Sequence, residues 1–162
     1  MSTFHIKPWN EFPLCANRPL FPNHVLVNPV NCVGVCGAGL ALVFKKLFPA
    51  NYRMYHTHCK AGNMKPGGVF STSRDVLIYN VATKDHWRDV SDLLTVSLCA
   101  RNLYTTIVSQ GLTTMHIPAL GCGCGELGHA WDAVLLALMN PFLASKKDDW
   151  EIYFYRPKEA KS

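Results

Sequence analysis

The chain has 162 residues, 49% of them hydrophobic and 17% charged, with a formal net charge of +5. That length supports one domain with a substantial core and is short for two, and no run of about 18 apolar residues is present to cross a bilayer. The N-terminus lacks the apolar stretch of a signal peptide, and the seven cysteines sit in apolar or glycine-rich settings, which argues against a secreted disulfide scaffold. The expectation is a soluble, cytoplasmic, monomeric protein with reduced thiols and no membrane partner. Its charge is too modest to identify a nucleic-acid protein: the lysines and arginines are scattered, as on a solvated surface, and are equally compatible with an anionic ligand.

In chain order, residues 1–24 read as an irregular N-terminal segment, because Pro8, Pro13, Pro19 and Pro22 exclude a long helix, although Phe4 to Ile6 could form a short strand. His24 to Asn28 reads as a buried strand ended by Pro29. Leu40 to Phe48 has a helical pattern stopped by Pro49, and Asn51 to Ala61 prolongs the helical region. Strands are expected at Gly68 to Ser73 and Val76 to Val81. Ser91 to Ser109 is the longest helix, with Ser91 as its cap and Asp92 favouring its dipole. Thr113 to Ile117, Trp131 to Leu143 and Trp150 to Tyr155 follow as strand, helix and strand. The pattern predicts an α/β fold with a central mixed sheet between helices.

Seven of the eleven glycines fall in two windows, residues 34–39 and 121–128, each between a β-branched apolar stretch and a helical pattern. Glycine admits positive φ and close backbone approach, and the following helix offers unpaired N–H groups and the positive end of its dipole. Two such loops suit a diphosphate. Residues 123–128 also match G-x-G-x-x-G with Asp148 and Asp149 about twenty residues on, but too little chain follows to build a dinucleotide-binding half. No kinase-type P-loop sequence occurs. The remaining reading joins both loops at the carboxyl ends of neighbouring strands.

Three separated segments then carry a resemblance: residues 27–46, Ala82-Thr83-Lys84-Asp85-His86-Trp87-Arg88, and Ile117-Pro118-Ala119-Leu120-Gly121-Cys122-Gly123-Cys124-Gly125-Glu126-Leu127. Together they resemble the macrodomain family, and within it the branch of DarG-type DNA ADP-ribosyl glycohydrolases and terminal ADP-ribose protein glycohydrolases. The resemblance implies a three-layer α/β/α sandwich over the whole chain, a hydrolase that removes ADP-ribose from a modified target, and no cofactor. ADP-ribosylated DNA is the leading target, with single-stranded DNA a candidate partner.

By the same resemblance, the ADP-ribose site comprises Asn10, Asn28, Asn31, Cys32, Val35, Cys36, Gly37, Ala38, Gly39, Leu40, Thr83, Pro118, Leu120, Gly121, Cys122, Gly123, Cys124 and Gly125. Asn31 aligns with an asparagine that binds the distal ribose hydroxyls; the alternative is a turn asparagine that satisfies its own loop. Lys84 is the implied catalytic residue, acting on the anomeric carbon, against the alternative of an ordinary exposed lysine. His86 and Arg88 are further candidates for substrate contact, and Trp87 for either packing or stacking.

Two departures from the family pattern stand out. Gly125 occupies the place where the terminal glycohydrolase carries an aspartate, and Trp9-Asn10 replaces a Gly-Asp pair that recognises adenine, leaving Asn10 as the substitute acceptor. Cys32, Cys36, Cys122, Cys124 and His56-Thr57-His58-Cys59 contain metal-ligand types but no C-x-x-C pairing, and no metal is expected. Rival functions are ADP-ribose-1″-phosphate phosphatase, O-acyl-ADP-ribose deacylase and a non-catalytic ADP-ribose reader.

Overall fold

A computed structural model describes residues 1–74 and 76–158. It contains strands β1 (Thr3–Lys7), β2 (His24–Val30), β3 (Val69–Thr72), β4 (Leu77–Ala82), β5 (Thr114–Ile117) and β6 (Glu151–Tyr155), with helices α1 (Gly39–Leu47), α2 (Pro49–Lys60), α3 (Leu93–Ser109) and α4 (Trp131–Leu143). The strands form one sheet in the order β1-β6-β5-β2-β4-β3. Only β3 runs antiparallel to its neighbour.

Strand β2 explains the layering. A parallel strand buried on both faces reads as a continuous apolar run, and Val25-Leu26-Val27 does. Val25 and Val27 pack towards Val96 and Leu103 of α3 and Leu138 of α4. Leu26 points the other way, into Phe12, Phe44 and Phe48. Each such side chain contributes about 1.5–3 kcal/mol on full burial. Helices therefore cover both faces, giving the expected α/β/α sandwich.

The short strand expected at Phe4 to Ile6 is present and slightly longer: Thr3–Lys7 is an edge strand paired in parallel with Glu151–Tyr155, a partner too distant in sequence for local patterning to show. Two local expectations are corrected. Pro29 does not end β2, which continues to Val30. Val30 O accepts from Thr83 N, and Cys32 N donates to Asp85 O, so even-numbered positions face β4 and Pro29 faces β5. The β2–β5 ladder stops at Leu26, and the missing proline N–H costs no pairing there. The cap of α3 is Asp92, not Ser91: Asp92 is extended at φ −120° and its side chain accepts from Thr95 N at 2.7 Å.

β2 and β5 are neighbours whose following segments leave towards opposite faces, β2 into α1 and α2 and β5 into α4. Such a switch point leaves a crevice at the strands' carboxyl ends.

Candidate functional site

The crevice is a cleft of about 880 Å³. Its walls include Asn31 and residues 35–41 after β2, Thr83, Lys84 and Trp87 after β4, and Pro118, Ala119 and residues 121–125 after β5. Trp9, Phe12 and Cys15 line it from the N-terminal segment, and Tyr155, Arg156, Pro157 and Lys158 from the C-terminal end of β6. Lys84 and the two glycine windows are thus brought together.

Four of the expected site residues do not line the cleft. Leu120 is fully buried in the core. Asn28 is 2% exposed and donates to Asn80 Oδ1 at 3.0 Å, in a buried network that ties Asn51 of α2 and Thr72 of β3 to the sheet. Cys32 turns its thiol towards Lys84 O at 3.6 Å, and burial, with Asp85 nearby, pushes that thiol up to about 12. Asn10 is exposed between two lining residues, Trp9 and Phe12, without joining them on the wall.

The first loop is organised around Asn31. Its Oδ1 accepts from the N–H groups of Val33, Gly34 and Val35 at 3.0, 3.0 and 3.3 Å, while Nδ2 donates to Val35 O at 2.8 Å. One amide side chain so closes the turn, the job open to an asparagine in such a loop. α2 braces the loop from behind: Tyr55 OH donates to Asn31 O at 2.7 Å, Tyr52 OH donates to Gly34 O, and His56 Nδ1 lies 3.1 Å from the same oxygen. Gly34 sits at φ +91°, and a Cβ there would stand 2.9 Å from His56.

The second loop is as tightly built. Leu127 N donates to Gly121 O at 2.8 Å, and Ser91 N donates to Gly125 O at 2.9 Å. A Cβ on Gly125 would meet the Ser91 side chain and stand 2.6 Å from Gly121 O. No aspartate can occupy this place without displacing backbone, which accounts for the first departure noted in the sequence. Glu126, at φ +66°, is exposed and off the cleft wall. Lys84, half-buried, donates through Nζ to Trp87 O at 3.1 Å and Cys124 O at 3.3 Å, clipping its own turn to this loop.

The arrangement suits an anion. Lys84, Arg156 and Lys158 line the cleft, and no carboxylate among the described residues does. The N–H groups of Cys36, Gly37, Ala38, Gly123, Cys124 and Gly125 make no hydrogen bond within the described residues. α1 follows directly, with Ala38 as a cap that provides no side-chain bond. Unpaired amides at a helix N-terminus are a ready receptor for phosphate oxygens. Among the described residues no three His, Cys, Asp or Glu side chains gather as a metal site, and burial holds the Cys36 thiol up at about 11. No helix of the described residues is long and apolar enough to cross a membrane.

Sequence reasoning missed the braces Tyr52, Tyr55 and His56, which lie on a helix that carries no motif. It named Trp9 only as the neighbour of Asn10, and it missed Phe12, Tyr155, Arg156 and Lys158, which reach the cleft because β1 and β6 lie side by side at one end of the sheet. Trp9 carries a usable signal, an exposed aromatic with the Lys158 ammonium 5.2 Å from its ring.

A profile of the Macro domain matches residues 27–134. The DNA ADP-ribosyl glycohydrolase of Thermus aquaticus is 35% identical over 143 residues, covering 85% of this chain but 39% of that protein. Among solved structures, the macrodomain of Mycobacterium tuberculosis DarG superposes with a TM-score of 0.84 at 28% identity, over 98% of this chain and all of that one. Thermosipho africanus DarTG in complex with ADP-ribose gives 0.72 at 25% identity, over 85% of this chain and 39% of that one.

Proposed function

The chain belongs to the Macro domain family, and from that premise we propose that its cleft binds ADP-ribose and that the protein hydrolyses the bond joining ADP-ribose to a modified target, ADP-ribosylated DNA first among them. The observation that carries this reading is the convergence of Lys84 with two loops of free amides in a carboxylate-free cleft. The relatives that it matches over most of its length are named DNA ADP-ribosyl glycohydrolases, and one neighbour holds ADP-ribose.

In this reading the amides of residues 36–38 and 123–125 hold the diphosphate. Arg156 and Lys158 add charge, and the exposed Trp9 ring, backed by the buried Phe12 and Tyr155, offers the adenine an aromatic surface in place of Asn10. The distal ribose then lies against Lys84. Nζ as the free amine attacks the anomeric carbon and forms a C–N bond as the bond to the target breaks, and the departing target takes up the proton that the new secondary ammonium gives up. The adduct opens to a Schiff base that water hydrolyses, returning the lysine and free ADP-ribose. Holding the anomeric carbon beside Nζ supplies much of the acceleration.

The test is calorimetry with ADP-ribose, followed by mass spectrometry of products from ADP-ribosylated single-stranded DNA, ADP-ribosylated protein and ADP-ribose-1″-phosphate. Lys84→Ala is expected to bind ADP-ribose and to lose at least about a hundredfold in turnover, since a nucleophile is removed. Wild-type rates in that variant would refute the lysine mechanism, and absence of ADP-ribose binding would refute the whole reading.

A further inference from the structure

The glycine loops account for the ADP-ribose half of a substrate and leave open what receives the group released from it. Lys84 Nζ is held between two carbonyls, Cys124 O on the second loop and Trp87 O on the turn after β4. Trp87 lines the same cleft as this nitrogen, so its side chain is within reach of whatever the anomeric carbon carries.

That turn is closed by its own hydrogen bonds and carries an exposed aromatic side chain. His86 N donates to the Asp89 side chain at 2.9 Å, Asp89 N donates to His86 O at 3.0 Å, and Arg88 N donates to His86 Nδ1 at 3.1 Å. Trp87 is 46% exposed, unlike Trp150, which at 1% is a packing tryptophan. The Arg88 guanidinium lies 4.7 Å from the Trp87 ring centre and the His86 ring 5.2 Å from it. Val90 and Leu94, further along the same stretch of chain, are exposed as well. An indole that lines a cleft with a cation on its face and open solvent beside it is built to stack a planar group next to a phosphate.

We propose that Trp87 stacks the nucleobase that carries ADP-ribose, with Arg88 neutralising the adjoining backbone phosphate, so that the turn selects single-stranded DNA as the substrate. This rests on the ADP-ribose reading of the cleft. Trp87 is then a specificity-determining residue: its main-chain carbonyl stays in place when the side chain changes, so its loss acts on substrate capture and not on the chemistry at Lys84.

The experiment measures, in a Lys84→Ala background, affinity for a single-stranded oligonucleotide bearing one ADP-ribosylated base and for free ADP-ribose, each with Trp87, Trp87→Ala and Trp87→Phe. The ratio of the two affinities should fall about 5- to 150-fold with alanine, the range for one lost stacked base, and recover most of that with phenylalanine. With Lys84 restored, Trp87→Ala should raise KM for the oligonucleotide and leave kcat within a few fold. If the protein cleaves the oligonucleotide and the ratio is unchanged by alanine, stacking is overturned while the glycohydrolase reading stands. If the oligonucleotide binds no better than ADP-ribose and is not cleaved, DNA is not the substrate and the stacking proposal falls, while the ADP-ribose reading of the cleft is decided by its own binding test.

Discussion

Asn31→Ala separates two roles for one side chain. Asn31 Oδ1 accepts three loop N–H groups and lies 3.2 Å from the donating Tyr55 hydroxyl, while Nδ2 donates to Val35 O. Hydrogen bonds of this kind contribute about 1 kcal/mol each, and water at the cleft wall replaces part of what alanine removes. The expected loss is about 3–4 kcal/mol of stability, a fall in Tm of roughly 10 °C for a domain of this size. ADP-ribose affinity should fall with it, because the amides of residues 36–38 must be re-ordered before they bind. The assay is thermal unfolding with and without ADP-ribose, paired with calorimetry. A variant whose unliganded Tm stays within about 2 °C of the wild type while affinity collapses would show that Asn31 grips the ligand and does not build the loop.

At Gly125 an added methyl group strikes Ser91 and Gly121 O, so Gly125→Ala should cost about 1–3 kcal/mol in urea unfolding. Gly123→Ala, with nothing within 4 Å of the added carbon, should fall within about 0.5 kcal/mol of wild type in the same titration. Equal losses at the two positions would refute the packing argument. A second, smaller cavity of about 290 Å³ has His24 and His116 on its wall. There His116 is 7% exposed, 3.1 Å from His24 Nδ1 and 2.8 Å from Tyr155 Oη. Burial first, and the neighbouring His24 second, push His116 down from 6.5 to about 4. The fold therefore holds it neutral: this contribution to stability is complete above pH 6.5 and is lost as the pH falls towards 4, at most about 3 kcal/mol. Unfolding free energies of the wild type and His116→Gln should converge by that amount from pH 7 to pH 4, and parallel curves would exclude the linkage.

Much of the site was legible because its signals are local. Each glycine window, the strand before it and the helix after it lie within about 30 residues, and Lys84 lies two residues after its strand. Most of what sequence reasoning missed lies in contacts between separate elements. β1 needs β6, 148 residues away from Thr3 to Glu151, and the loop braces at Tyr52 and Tyr55 lie 18 and 24 residues beyond the atoms they hold. Asn28 enters the expected site through the family resemblance alone, whereas Asn80, opposite it on β4, takes its hydrogen bond. At Ser91 and Asp92 both residues can cap a helix, and the one whose backbone is extended at the junction does so.

The cysteines give the cleft a chemical footprint of its own. Cys36 is 3% exposed with its thiol raised to about 11, and Cys122 is half-buried and raised to a similar value. Cys124 and Cys15, by contrast, are exposed, although burial raises the Cys15 thiol as well, and they lie on two different walls, one on the second glycine loop and one beside Phe12. An alkylating reagent reaches these two first, so the rate of modification at each, read by peptide mapping, reports whether that wall is covered. Without any engineered label, the native chain can distinguish a ligand that fills the whole cleft from one that occupies the diphosphate loop alone.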